Sequence, residues 1–160
     1  MTNTHAQYHS YEIRQDIEDA IRRIQPRLST GETVFRGWSR MALPISSFNI
    51  TRVLKPNLGD TKPALVSAEV SYYLPGKNQQ IRWEWDNIKQ HDVIFLVTVQ
   101  SPIREGDTPN PDLPFRERHG VITVRGCEVN EVVDEAGNVL SDLEEGRERR
   151  GNKRTLRVFL

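Results

Sequence analysis

Asp134 and Glu135 follow the apolar pair Val132 and Val133 and precede Ala136 and Gly137. An acidic pair at a strand end is what a helicase ATPase uses, the aspartate holding magnesium and the glutamate orienting water. That chemistry also needs a phosphate-binding loop, whose backbone N–H groups cradle the phosphates ahead of a Gly-Lys-Ser/Thr step. Gly76 and Lys77 are followed by Asn78, and position 71, five residues before Gly76, is a serine. Without the loop, Asp134 to Asn138 reads as a hairpin turn, with Gly137 supplying the positive φ that such turns require.

The other reactive residues are scattered. Cys127 with His119 would make a nucleophile and base, yet Cys127 lies in a strand pattern beside Gly126, where a buried, inert thiol is the usual occupant. Zinc takes about four N or S ligands at close spacing, and Cys127, His119, His91, His5 and His9 form no such cluster. Glu84, Asp86 and Asp92 flank strand patterns, where acids face solvent. No catalytic residue, metal ligand or cofactor is assigned. A lone cysteine leaves no intramolecular disulfide and suits a reducing compartment.

Basic and aromatic residues together allow a different chemistry, because small barrels bind single strands on aromatic platforms beside a cationic groove. Tyr73, Trp83 and Trp85 are the candidate stackers. Arg36, Arg40, Arg52 and Arg82, or the cluster Arg147, Arg149, Arg150, Lys153, Arg154 and Arg157, are the candidate phosphate contacts. Two further readings stay open. Aromatics on alternating strands also serve core packing, and basic residues interleaved with Glu144, Glu145 and Glu148 also make a solvated face. A protein-interaction surface using the proline loop or exposed aromatics would use the same residues. Any such patch must act locally, since 22 basic and 22 acidic residues cancel to zero net charge.

At 160 residues the chain is long enough for one domain with a real core. It has neither a signal-peptide start nor an apolar run long enough to span a bilayer, and reads as a soluble intracellular protein. Residues 1–9 read as a disordered lead. Ile13, Ile17, Ile21, Ile24 and Leu28 then recur at helical spacing and predict an amphipathic helix over 10–28, with Pro26 ending or bending it near Gln25. From Gly31 onward the pattern is β. Val34 to Trp38 reads as a short strand kinked at Gly37, and Phe48 to Val53 as a strand with one wet face. Val66 to Leu74 shows the cleanest alternation, and Ile81 to Trp85 alternates briefly. His91 to Val99 is nearly all apolar and β-branched, and is expected to be the central strand. Gly120 to Val133 resumes the pattern, with a bulge expected at Gly126. The loop from Ser101 to Pro114 carries proline and glycine and is expected to be functional or floppy. Ser141 to Arg154 is expected to be a mobile loop before a last strand, Thr155 to Leu160.

Several segments in order resemble one family. Tyr11 to Ala20, Trp38-Ser39-Arg40-Met41-Ala42 with Pro44-Ile45, His91-Asp92-Val93, Val124 to Glu128 and Thr155 to Leu160 are similar to the β-barrel region of the aquarius family of spliceosomal superfamily 1 RNA helicases. The resemblance covers nearly all of the chain after Tyr8. It implies a helix followed by a barrel, placed in the family between a helical-repeat domain and paired RecA-like domains. It also implies a parent that binds introns in pre-mRNA splicing, in the nucleus. The family's ATPase motifs have no matching positions here, so no catalytic residue carries over.

The reading is a mainly β, Greek-key-like β-barrel with one N-terminal α-helix, the barrel spanning 31–160 and truncated at its C-terminus. Its expected role is a noncatalytic module that scaffolds or docks within the spliceosome; the alternative is a single-stranded RNA-binding barrel that extends the helicase RNA path. Candidate contacts are Arg36, Arg40, Trp83, Trp85, Arg147, Arg149, Arg150, Lys153 and Arg154. Expected partners are spliceosomal proteins of the intron-binding complex and the pre-mRNA intron, with no membrane and no small-molecule substrate.

Overall fold

The computed structural model describes residues 3–142 and 148–160. The chain divides into two compact units, one of residues 1–43 and 97–124 and the other of residues 44–96 and 125–160.

In the first unit the isoleucine stripe forms helix α1 (Asn3–Ile24), which buries Ala20 and Ile21. Its limits differ from the expected 10–28. It starts within the stretch read as disordered, because Thr4 to Gln25 contains neither glycine nor proline to stop it. It ends before Leu28 because proline disfavours the α region in the residue before it, and Gln25 turns left-handed at φ 46°. Pro26 then opens strand β1 (Pro26–Ser29), which pairs with β2 (Glu32–Phe35). Thr30 and Gly31, with φ 50° and 84°, make the two-residue turn whose twist suits such a hairpin. The strand predicted to continue to Trp38 stops at Phe35. Arg36 and Gly37 instead donate their N–H groups to Ile24 O at 3.1 and 3.0 Å, closing the end of α1. A Cβ on Gly37 would fall 1.9 Å from Arg23 O, so glycine is needed for this approach.

The loop after Ser101 is pinned rather than floppy at its start. Ser101 Oγ donates to Pro26 O at 2.9 Å, its N–H donates to Thr33 Oγ1 at 3.0 Å, and Leu28 N–H donates to Ile103 O at 2.7 Å. The loop then enters a short helix, α3 (Phe115–His119), which the strand patterns did not indicate. Arg118 and Arg116 tie this helix down through the carbonyls of Pro111 and Leu113, and of Val121 and Ile122.

The main sheet has the order β3-β4-β7-β6-β5, formed by β3 (Ser47–Leu54), β4 (Leu65–Tyr73), β5 (Val93–Val99), β6 (Val121–Val133) and β7 (Lys153–Phe159). This is a Greek key: β5, β6 and β7 run as neighbours, and β7 comes back to lie beside β4, which precedes all three in the chain. The pairings β3 with β4, β4 with β7 and β6 with β7 are antiparallel.

The strand expected at the centre, from His91 to Val99, is an edge strand, and Val93 and Phe95 are exposed. An apolar run reports affinity for apolar neighbours and not position in the sheet. The centre belongs to β7, which is flanked by complementary charges. Arg157 reaches Glu69 on β4 at 3.2 Å and Glu131 on β6 at 2.6 Å. On the opposite face Ala68, Val158 and Val129 form one row, and Val70, Leu156 and Val132 the next. All six are at most 6% exposed. At about 1.5–3 kcal/mol for each fully buried valine or leucine, this block is comparable with the net stability of a whole domain.

Two further expectations move. The register shift in β6 falls between Val129 and Glu131, not at Gly126, where a Cβ would meet the Phe95 ring at an ordinary 3.5 Å. The Ile81 to Trp85 segment is helical, within α2 (Gln79–Asp86), because Asn78 caps it, its side chain accepting from Gln80 N and Ile81 N.

Candidate functional site

Helix α2 sorts the two tryptophans. Residues four apart share a helix face, so Ile81, which is buried, and Trp85 point the same way, while Trp83 is 65% exposed. The Trp85 ring stands edge-on to Tyr72 of β4 at 5.8 Å, and Tyr72 OH donates to Trp85 O at 2.8 Å. Burial first, and then the Asp86 carboxylate, push the Tyr72 phenol well above its ordinary range, keeping it a hydrogen-bond donor. The three candidate stackers therefore divide. Trp85 is tied to the fold, whereas Trp83 and Tyr73, the latter 57% exposed, present open rings.

The basic cluster divides the same way. Arg154, on β7, is 1% exposed. Its Nε donates to Asp86 Oδ1 at 2.7 Å, and its Nη1 donates to the carbonyls of Arg150, Gly151 and Lys153 at 3.1, 3.1 and 2.9 Å. A guanidinium held this way is part of the interior and cannot reach a phosphate. Arg149 lies 3.3 Å from the same Asp86 oxygen and also donates to Asp86 O. Arg82 donates to Asn152 Oδ1 at 2.6 Å. Arg150 remains exposed and Lys153 half-buried, while Arg147 lies outside the described residues.

The Asp134 and Glu135 pair organises the chain leading into β7. Asp134 accepts from Ala136 N, Asn138 N and the Asn138 side chain, and from Arg150 N at 3.1 Å. Burial by itself would raise the Asp134 pKa, but these donors, led by Asn138, outweigh it and hold the carboxylate at about 2. Glu135 Oε2 accepts from Asn152 N at 2.8 Å and Lys153 N at 3.2 Å, and those two amides hold its pKa below the usual value. Both carboxylates thus grip backbone amides, the hairpin reading of the sequence. Gly151 lets Glu135 in: its φ is 70°, and a Cβ would lie 2.0 Å from Glu135 Oε2.

In the other unit Arg36 is ion-paired with Glu105. Arg40 belongs to a tight turn in which Ser39, 2% exposed, accepts from Met41 N at 3.2 Å and forms a bridge with Ala42. The turn holds Trp38 and Met41 outward, 58% and 63% exposed. Sequence reasoning passed over this pair, placing Trp38 at the end of a strand that stops at Phe35 instead. His119 is buried, with its ring against Phe115 at 4.6 Å. Burial, then Arg118, Arg22 and Arg27, lower its pKa. Burial raises the Cys127 thiol, leaving a protonated and unreactive sulfur. Among the described residues no three His, Cys, Asp or Glu side chains gather as a metal site. No described helix is long and apolar enough to cross a membrane.

Two comparisons bear on this arrangement. The sequence profile of the family described as "Intron-binding protein aquarius, beta-barrel" matches residues 25–160. The chain is also 44% identical, over 153 residues, to the RNA helicase aquarius of Mus musculus. That match covers 94% of this chain and 10% of the relative, so the chain spans about a tenth of the relative's length.

Proposed function

As this chain belongs to the aquarius family and matches its β-barrel, we propose that it is a noncatalytic barrel module of a longer intron-binding RNA helicase, docking and positioning protein partners in the nuclear spliceosome. Its partners on this reading are spliceosomal proteins, with the pre-mRNA intron held elsewhere in the parent. One observation carries the choice of docking over RNA binding: four of the arginines that would neutralise phosphates are engaged within the fold. Arg154 and Arg149 serve Asp86, Arg82 serves Asn152, and Arg36 serves Glu105. RNA affinity scales with the phosphates neutralised, each contributing about 0.7 to the salt slope on a single strand. A cluster whose arginines are engaged in this way has less of that term.

Exposed Trp83, in the same unit as exposed Arg150 and half-buried Lys153, supports the second reading, a short single-strand contact that extends the helicase RNA path. Fluorescence anisotropy of the chain with a labelled, unstructured RNA decides between them. Docking expects no binding at physiological salt and only weak binding at low salt. Micromolar or tighter binding at physiological salt that disappears in Trp83→Ala would overturn docking in favour of the RNA path. A matching experiment deletes the barrel from the full-length parent. Docking expects ATPase activity to persist while spliceosomal proteins no longer co-purify, and unchanged co-purification would count against it.

A further inference from the structure

The apolar rows of the main sheet run past the last strand that buries them. Across β3 and β4, Phe48 is opposite Val70, Ile50 opposite Ala68, and Val53 opposite Val66. Val70 and Ala68 are 3% and 1% exposed, whereas Phe48, Ile50 and Val53 on the next strand are 44%, 57% and 56% exposed. Side chains alternate along a strand, and Ile50 and Val53 are three residues apart, so a regular strand would turn them to opposite faces. A register shift between Ile50 and Arg52 absorbs the odd residue. The bulge thereby returns Val53 to the face of Phe48 and Ile50. The result is an apolar stripe on an edge strand. Natural edges are usually blunted by charge, proline or brevity, but β3 is eight residues long and carries one charge, Arg52.

Arg52 indicates the occupant. It lies opposite Ser67 on the polar face, where the neighbouring strands match Glu69, Arg157 and Glu131 in alternating sign. Arg52 has no ion pair among the described residues.

We propose that the free edge of β3 is a docking site for an extended segment of a partner protein. The segment adds a strand, lays alternate aliphatic side chains over Phe48, Ile50 and Val53, and presents a carboxylate to Arg52. Backbone pairing supplies affinity in this mode and the alternating side chains supply selectivity. The proposal rests on the docking reading above and specifies where docking occurs and what chemistry it selects.

The test selects ten-residue peptides from a displayed random library on the intact chain. Binding of the winners is then measured by fluorescence anisotropy, and amide exchange is followed by mass spectrometry. The expected winners alternate aliphatic and polar residues and carry Asp or Glu. They slow exchange across Ser47 to Leu54, and they bind Arg52→Glu at least tenfold more weakly. Replacing the winner's acid by lysine should restore affinity for Arg52→Glu, a charge-swap rescue that a damaged fold cannot give. Ile50→Lys should abolish binding with the circular dichroism spectrum unchanged. Winners that protect residues elsewhere, such as the Trp83 helix, would overturn the β3 site and leave docking intact. Failure to select any convergent peptide would overturn both. Dimerisation in sedimentation that protects β3, or protection of β3 by the unstructured RNA, would overturn the proposal by naming a second copy or RNA as the occupant.

Discussion

Replacing Asp86 by asparagine tests whether the Arg154 site belongs to the interior. Asp86 is the anion for a guanidinium that is 1% exposed, joined at 2.7 Å. Removing one member of a buried pair costs about 3–5 kcal/mol, because the other charge stays buried without compensation. Here three carbonyls still accept from Arg154 Nη1, and the Asp86 side chain is 21% exposed. The loss therefore belongs near the lower end, about 3 kcal/mol. In urea, with a slope of about 1–3 kcal/mol per molar for a small domain, the unfolding midpoint read by tryptophan fluorescence should fall by more than about 1 M. The double variant Asp86→Leu with Arg154→Met removes both charges at similar volume and should recover most of the loss, since buried pairs are replaceable by apolar residues at little cost. Arg149→Ala, which removes a partly exposed partner, should cost about 0–1 kcal/mol. An Asp86→Asn cost below about 1 kcal/mol, or a double-mutant cycle with no coupling, would refute the burial of Arg154 as a charge that needs Asp86.

Three other outcomes are expected. Asp134 has a depressed folded pKa of about 2 against an ordinary 3.8, so its stabilisation is present above about pH 4 and lost as pH falls toward 2. Urea midpoints measured from pH 5 to pH 2 should lose that slope in Asp134→Asn, which should also be less stable at pH 7 by about 1–2 kcal/mol. Gly37→Ala forces a methyl against Arg23 O and should cost about 1–3 kcal/mol in the same assay, with no relief by side-chain rotation because the obstacle is backbone. Tyr72→Phe deletes the donor to Trp85 O and should cost about 1 kcal/mol, whereas Trp83→Ala should stay within about 0.5 kcal/mol in thermal melts.

The sequence was most legible where one face of an element meets water. The isoleucine stripe of α1, the alternation of β4 and the turn at Gly137 follow from local periodicity and turn chemistry, and all three appear in the structure. Positions set by partners far along the chain were not legible. β7 is central because Leu156 and Val158 meet buried apolar partners on both β4 and β6, and nothing within β7 itself announces either neighbour. The segment around Trp83 and Trp85 alternates over too few residues to separate strand from helix, and Asn78 was the local sign that favoured the helix. The candidate site suffered from the same limit. Composition shows a cluster of arginines, but only pairing distinguishes Arg154, which is buried, from Arg150, which is exposed. Charged residues read alike until their counterions are known.

The late place of β7 in the chain has a kinetic meaning. Glu69 and Arg157 must find each other across 88 residues of sequence, and β4 and β6 have no shared neighbour until they do. On the ribosome, β3 and β4 emerge as a hairpin with one side waiting, and the sheet is completed only when its middle member arrives. Long-range pairing of this kind slows folding and lengthens the exposure of unpaired edges. During synthesis the half-formed sheet is thus a natural client for chaperones, and a chain stopped before Lys153 would retain two sheet fragments with no strand to join them.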